Sequence, residues 1–180
     1  MVYQKTIDGK YVYLKSADVD DADFTLSLRK DPSLTRYLPK LDITVEQQKR
    51  WIETQRSKEG DYFFVVRRKD HTPIGTVSIY NVNGDTSESG RLALIGNAIE
   101  NTEAALLLFC FAFDILHLKT VTGYTIDGNK RADRFNRQYG CVAAEPEMDE
   151  NGEMIRRTVL TAEAFHEAEL KLKKIIKSYQ

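Results

Sequence analysis

The stretch TIDGNKRADRFNRQYGC, residues 125–141, decides how this chain is read. A β-like run, Val121 to Ile126, stops at the turn pair Asp127–Gly128. Asn129 follows it, then a short helix over 129–139, then Tyr139–Gly140. Asn is a favoured helix N-cap, because its side chain accepts from backbone N–H groups that the first turn leaves unpaired. The helix carries Arg131, Arg134 and Arg137. A strand end, an Asn and a basic helix therefore meet at one point.

On the C-terminal side, CVAAEPE (141–147) and MIRRTVL (154–160) read as a hairpin. TAEAFHEAELKLKKIIKSY (161–179) reads as an amphipathic helix whose basic tail suits the helix dipole. On the N-terminal side, NTEAALLLFCFAFDILHL (101–118) reads as a long apolar core helix. Three strands precede it: YFFVVRR (62–68), IGTVSIYNV (74–82) and SGRLALI (89–95), separated by the turn-forming KDHTP and NGDTSE. Two helices lie further upstream, 18–31 and 44–60. The second has Thr44 as cap and Gln47 completing a capping box. KYVYLKSA (10–17) alternates and reads as the first strand. The order is β-α-α-β-β-β-α-β-α-β-β-α, an α+β chain with a mixed, mostly antiparallel sheet.

At 180 residues the chain suits one domain, 1–180, ending in the helix at about 161–179. Charged residues make up 29% and hydrophobic ones 42%, a globular composition. The net charge of −1 argues against nucleic-acid or membrane-surface partners. Cys110 and Cys141 form no metal spacing, and no metal is expected. The opening MVYQKTIDGK has no apolar signal segment, and no apolar run approaches about 18 residues, so a cytoplasmic protein is expected. His71, His117 and His166 read as structural or solvent-facing.

Over residues 10–160 the sequence resembles the GNAT superfamily of N-acetyltransferases, and three stretches carry the resemblance. SLRKDPSLTRYLPKLDITVEQQKRWIE (27–53) is similar to the first two helices of its ribosomal-protein-acetyltransferase-like branch. FCFAFDILHLKTVTGYTI (109–126) is similar to the family's helix, turn and following strand. GNKRADRFNRQYGC (128–141) is similar to the pattern Asn-x-x-Ala-x-x-Phe-Tyr-x-x-x-Gly-Phe. The resemblance implies a central sheet of six to seven strands with helices on both faces and a V-shaped splay between strands 89–95 and 119–126. It implies acetyl-CoA as cosubstrate, its arm in the V and its amides bonded to one splayed strand.

By the same resemblance, Leu92, Leu94 and Ile95 would hold the arm, and Gly96, Asn97, Ala98, Asn101 and Thr102 the phosphates. Asn129 would face the arm, or act simply as a helix cap. The chain departs from the family in two places. Where the family has Gln/Arg-x-x-Gly-x-Gly/Ala, this chain has LIGNAIENTEAAL (94–106), with one glycine, no basic residue, and Glu100 close by, which would repel phosphate if it faced inward. Where the family has a Tyr that reprotonates the leaving thiolate, this chain has Asn136. Asn136 can donate a hydrogen bond to sulfur but not a proton. Tyr139 substitutes as the acid, or is a packed aromatic. Glu88, just before strand 89–95, is the candidate base, or an exposed turn acid.

The implied activity is acetyl transfer to a primary amine. The acceptor expected is a nucleotide-linked amino sugar, with a protein N-terminus as the alternative. A non-catalytic GNAT-like binding domain is the remaining alternative. The protein is expected to be a monomer or a homodimer.

Overall fold

A computed structural model describes residues 1–37 and 41–179. Positions 38–40, within the first resembling stretch, lie outside the described residues. The sheet has nine strands: β1 Ile7–Asp8, β2 Val12–Ser16, β3 Tyr62–Arg68, β4 Pro73–Asn83, β5 Thr86–Leu94, β6 Thr120–Ile126, β7 Val142–Ala143, β8 Glu147–Met148 and β9 Met154–Thr161. Its order is β1-β2-β3-β4-β5-β6-β9-β7, with β8 also on β9. Every pairing is antiparallel except β5 with β6.

Two strands beyond the six or seven expected have local causes. β1 is a two-residue pairing too short to show a pattern. The strand expected over 141–147 is split into β7 and β8, which both pair with β9. Pro146 lies in the gap, and its missing N–H cannot join a ladder.

Among the described residues, six α-helices accompany the sheet: α1 Ala22–Lys30, α2 Pro32–Thr35, α3 Val45–Ser57, α4 Ala98–Cys110, α5 Lys130–Gln138 and α6 Ala162–Ser178. The expected helix at 18–31 opens as a short 3-10 turn, Val19–Asp21. The apolar helix starts at Ala98 rather than at 101, because Asn97 and Glu100 form a capping box ahead of the apolar run. It leaves α4 through a π-helical turn, Phe111–Ile115.

The strand β3 shows why its sequence is apolar without alternation. Phe64 and Val66 enter one core, with Leu108, Phe111 and Phe165 of the α4 and α6 layer. Phe63 and Val65 enter a second core, with Ala22 and Ile52 of α1 and α3. Successive side chains point to opposite faces, and both faces are covered by helices.

One buried carboxylate ties α4 to the first hairpin. Glu103 is 3% exposed and accepts from the N–H groups of Lys10, Tyr11 and Val12 at 2.6, 2.7 and 2.9 Å. Gly9 is required beside it, since a Cβ there would lie 2.5 Å from the Glu103 carboxyl carbon. Glu103→Ala strands three backbone donors and should lower stability by about 3 kcal/mol. Urea unfolding checks this, and a loss below about 0.5 kcal/mol would show that water replaces the carboxylate freely.

Candidate active site

The only parallel contact in the described sheet is brief. β5 and β6 are in register at Thr86–Thr120, Ser87–Val121 and Glu88–Thr122, and no further. Beyond that point β5 pairs with β4 alone, and β6 with β9 alone. A bulge accompanies the parting. Ser78 faces Gly90 and Thr76 faces Ala93, so β5 has one residue more than β4 over this span. Arg91, in the bulge, has a φ of 49°.

The parting opens a cleft of about 830 Å³ between the two strands. Its walls are β5 from Ser89 to Leu94, β6 from Val121 to Ile126, the first turns of α4, and one face of α5. The free edge of β5 carries unpaired backbone groups into the cleft. Ile95 N–H bonds back to Ile74 carbonyl oxygen at 2.9 Å. By the alternation of an antiparallel ladder, Leu94 N–H then faces the cleft.

Of the residues singled out in the sequence, Leu92, Leu94, Ala98, Asn101, Thr102, Asn129 and Asn136 line the cleft. Ile95, Gly96 and Asn97 form the approach to α4 and lie outside its lining. The Asn97 side chain caps α4, accepting from Ile99 N–H and Glu100 N–H at 3.0 and 2.9 Å. Asn101 donates to the Gly96 carbonyl at 2.9 Å, while its buried Oδ1 has no hydrogen-bond partner among the described residues. Asn129 is a cap: its side-chain oxygen accepts from Ala132 N–H at 3.1 Å, and the residue lines the cleft. Asn136 is half-buried on the cleft side of α5.

Glu100 does not face the cleft. Its carboxylate accepts from Asn97 N–H at 2.8 Å and from Arg68 Nε and Nη2 at 2.6 and 3.0 Å. Arg68 holds the Glu100 carboxyl below its ordinary range against the opposing effect of burial. The acid expected to repel phosphate is neutralised by a residue of β3. The 94–106 loop has no basic residue of its own; Arg131 and Arg134 of α5 line the cleft across from it. They are three apart and so share a helix face, which is the sequence signal that finds them.

Two expectations need correction. Tyr139 is fully buried, outside the cleft lining, with its hydroxyl donating to the Thr102 carbonyl at 3.0 Å. It packs on Phe109 and Phe135, and burial pushes its phenol well above the ordinary range. It is the packed aromatic, locking α5 onto the first turns of α4, and is no acid for this site. Glu88 is not a turn residue either. The turn between β4 and β5 is tight, and Glu88 sits inside β5, opposite Tyr80 on one side and Thr122 on the other. Its carboxylate accepts from Asn81 Nδ2 at 3.0 Å, at the rim of the cleft rather than in its lining.

The lining contains Arg36, Arg91, Arg131 and Arg134 and no Asp or Glu among the described residues. That is a pronounced bias in a chain of net charge −1. A strand edge with free amides, a helix N-terminus and two arginines opposite it suit an extended amide-bearing arm that ends in phosphates, and so fit acetyl-CoA. Away from the cleft, Cys110, Asp114 and Glu169 bring donor atoms within 4.8 Å of one another. The Glu169 carboxylate there is already bound by Lys173 at 2.6 Å and His166 at 3.2 Å.

The chain belongs to the GNAT acetyltransferase family: residues 12–142 match its acetyltransferase domain. It is an acetyl-CoA-dependent N-acetyltransferase. No curated protein matches it in sequence. Among solved structures it is similar to apo FdhC, a nucleotide-linked sugar GNAT, with 21% identity, TM-score 0.84, and coverage of 97% of this chain and 99% of that one. A GCN5-related N-acetyltransferase from Brucella melitensis has 15% identity, TM-score 0.80, and coverage of 97% and 86%. Spermidine N-acetyltransferase from Vibrio cholerae, in complex with CoA and spermine, has 14% identity, TM-score 0.77, and coverage of 86% and 98%. At these identities the likeness is one of fold.

A folded pKa below the unfolded value, about 4.3 for Glu, gives stability that is full above that value and is lost as pH falls through the folded one. Glu100→Gln keeps a capping oxygen but loses the charge paired with Arg68, and should therefore cost about 1 kcal/mol at neutral pH. The gap to wild type should close on acidification below the Glu100 folded pKa. Urea unfolding across pH checks this; a gap unchanged into strong acid would contradict the charged pairing with Arg68.

Proposed function

We propose that this protein acetylates the primary amine of a nucleotide-linked amino sugar. The supporting observation is the charge of the cleft: no carboxylate among its described lining residues and four arginines, of which Arg91 is paired with Asp61 and Arg36, Arg131 and Arg134 remain for ligands. A polycationic amine needs carboxylates around it, whereas a nucleotide diphosphate needs arginines. Arg131 and Arg134 are the candidates for the phosphates of acetyl-CoA. Arg36, just past α2, also lines the cleft and is left for the acceptor's phosphates. The fold neighbour described as a nucleotide-linked sugar GNAT agrees with this class.

Acetyl-CoA, when bound, supplies a reactive acyl thioester. In this reading, the free edge of β5 at Leu92 and Leu94 bonds the amides of its arm, and Asn129 NH2 steadies the arm from the other wall. The first turn of α4, at Ala98, Asn101 and Thr102, receives the phosphates with its helix dipole. A backbone N–H of the β5 bulge faces the developing oxyanion. The nitrogen of the neutral amine forms a bond to the acyl carbon, and the C–S bond breaks. Glu88, reached directly or through water, takes the amine proton. Asn136 donates a hydrogen bond to the departing sulfur. A thiol pKa of about 8.5 means the thiolate needs only this modest help near neutrality.

The test is a turnover panel with acetyl-CoA and three acceptors: UDP-linked amino sugars, peptides with a free N-terminus, and spermine. A UDP-linked amino sugar should be acetylated fastest. Arg36→Ala should raise its KM about tenfold, the loss of one charge-assisted contact. Glu88→Gln should lower kcat about a hundredfold with little change in KM. Preference for spermine or peptide would refute the acceptor class, and an unchanged rate across pH 6 to 9 in Glu88→Gln would remove Glu88 as base.

A further inference from the structure

Arg91 occupies a backbone conformation that its side chain makes expensive. Its φ of 49° is left-handed, where a residue with a Cβ costs about 1 kcal/mol or more and glycine sits freely. The bulge that contains it is fixed on the backbone side by Thr76, whose hydroxyl donates to the Arg91 carbonyl at 2.9 Å. What the arginine adds is its side chain. The guanidinium makes a two-pronged pair with Asp61, at 2.6 and 3.0 Å. Asp61 is 1% exposed and also accepts from Gln55 Nε2 at 3.2 Å. The same guanidinium lies 4.6 Å from the centre of the Tyr80 ring and 5.2 Å from that of Trp51.

Tyr80 and Arg91 are the members of this cluster that line the cleft, and Tyr80 brings a hydroxyl to it. Its ring lies over Gly90: a Cβ on Gly90 would come 2.8 Å from the Tyr80 hydroxyl. Gly90 stands on β5 just past the point where β5 leaves β6. The hydroxyl therefore sits at the apex of the V, and it has no hydrogen-bond partner among the described residues. Glu88 faces Tyr80 across the β4–β5 ladder.

We propose that the Tyr80 hydroxyl binds and orients the acceptor at the apex of the cleft, and that the Asp61–Arg91 pair is the brace that holds its ring there. Arg91 and Asp61 are positioning residues; Tyr80 touches the substrate. The proposal rests on the cleft being where acceptor and acetyl group meet, not on which amine is accepted. Burial, with the Glu88 charge adding to it, pushes the Tyr80 phenol up to about 12. Tyr80 thus keeps its proton at neutral pH and acts as a hydrogen-bond donor. The bulge, the ion pair and the aromatic contact act as one device: guanidinium stacking fixes the ring plane, and the carboxylate fixes the guanidinium.

The test is a double-mutant cycle on the acceptor that wild type turns over fastest among UDP-linked amino sugar, peptide and spermine. Tyr80→Phe removes one oxygen and leaves the ion pair intact. It should lower kcat/KM for the acceptor about tenfold, with KM for acetyl-CoA within twofold of wild type. Asp61→Asn with Arg91→Gly removes the brace without stranding a buried charge and relaxes the left-handed backbone. It should give a similar loss. Combined with Tyr80→Phe it should add little, because the brace works through Tyr80. A merely structural cluster would instead shift the acetyl-CoA KM and melting temperature, and its loss would multiply with that of Tyr80→Phe. Tyr80→Phe within twofold of wild type, or multiplying losses, overturns the proposal. Tyr80→Phe decides the first point even if the brace variant does not fold. A wrong acceptor class would show in wild type itself, before any variant is compared.

Discussion

Three register positions hold β5 to β6, and then the two strands part. Everything that makes the cleft follows from that short pairing. A longer parallel ladder would pair the free edge of β5 and leave no groove. No pairing at all would let the two halves of the sheet separate. The bulge at Arg91 adds twist to β5 where it must turn away, and the antiparallel neighbours β4 and β9 hold each arm of the V in place.

The helices at the mouth of the V are fixed by contacts outside it. Tyr139 fastens α5 to the first turns of α4 through the Thr102 carbonyl. Glu103 fastens α4 to the first hairpin. Glu100 and Arg68 fasten the α4 N-terminus to β3. Each of these groups turns its back on the cleft. The lining is thereby left to backbone edges, apolar and uncharged polar side chains and arginines, while the carboxylates of α4 are spent on structure.

The fold was legible where the signal is local. Thr44 and Gln47 form the capping box that their spacing predicts. The strand runs and the long apolar helix are present, and the strand–Asn–helix order at 120–138 places α5 beside the V. What escaped was either too short or too distant in sequence. β1 is two residues long, and Pro146 splits a strand that composition alone reads as continuous. The partner of Glu100 is Arg68, 32 positions upstream, so the acid near the phosphate loop looked hostile until the fold paired it. Tyr139 kept both readings, acid and core residue, because helix periodicity does not show which neighbour covers it. The cluster of Asp61, Arg91, Trp51 and Tyr80 joins α3, the residue before β3, β4 and β5, and no window of sequence contains it.

Amide hydrogen exchange with and without acetyl-CoA tests the central claim directly, since it reads the free strand edge residue by residue. If the arm pairs with β5, the amides of Leu92 and Leu94 slow on binding, while Ala93, already facing β4, changes little. Protection that leaves Leu92 and Leu94 unchanged and falls elsewhere on the sheet would contradict the placement of the cofactor in the V.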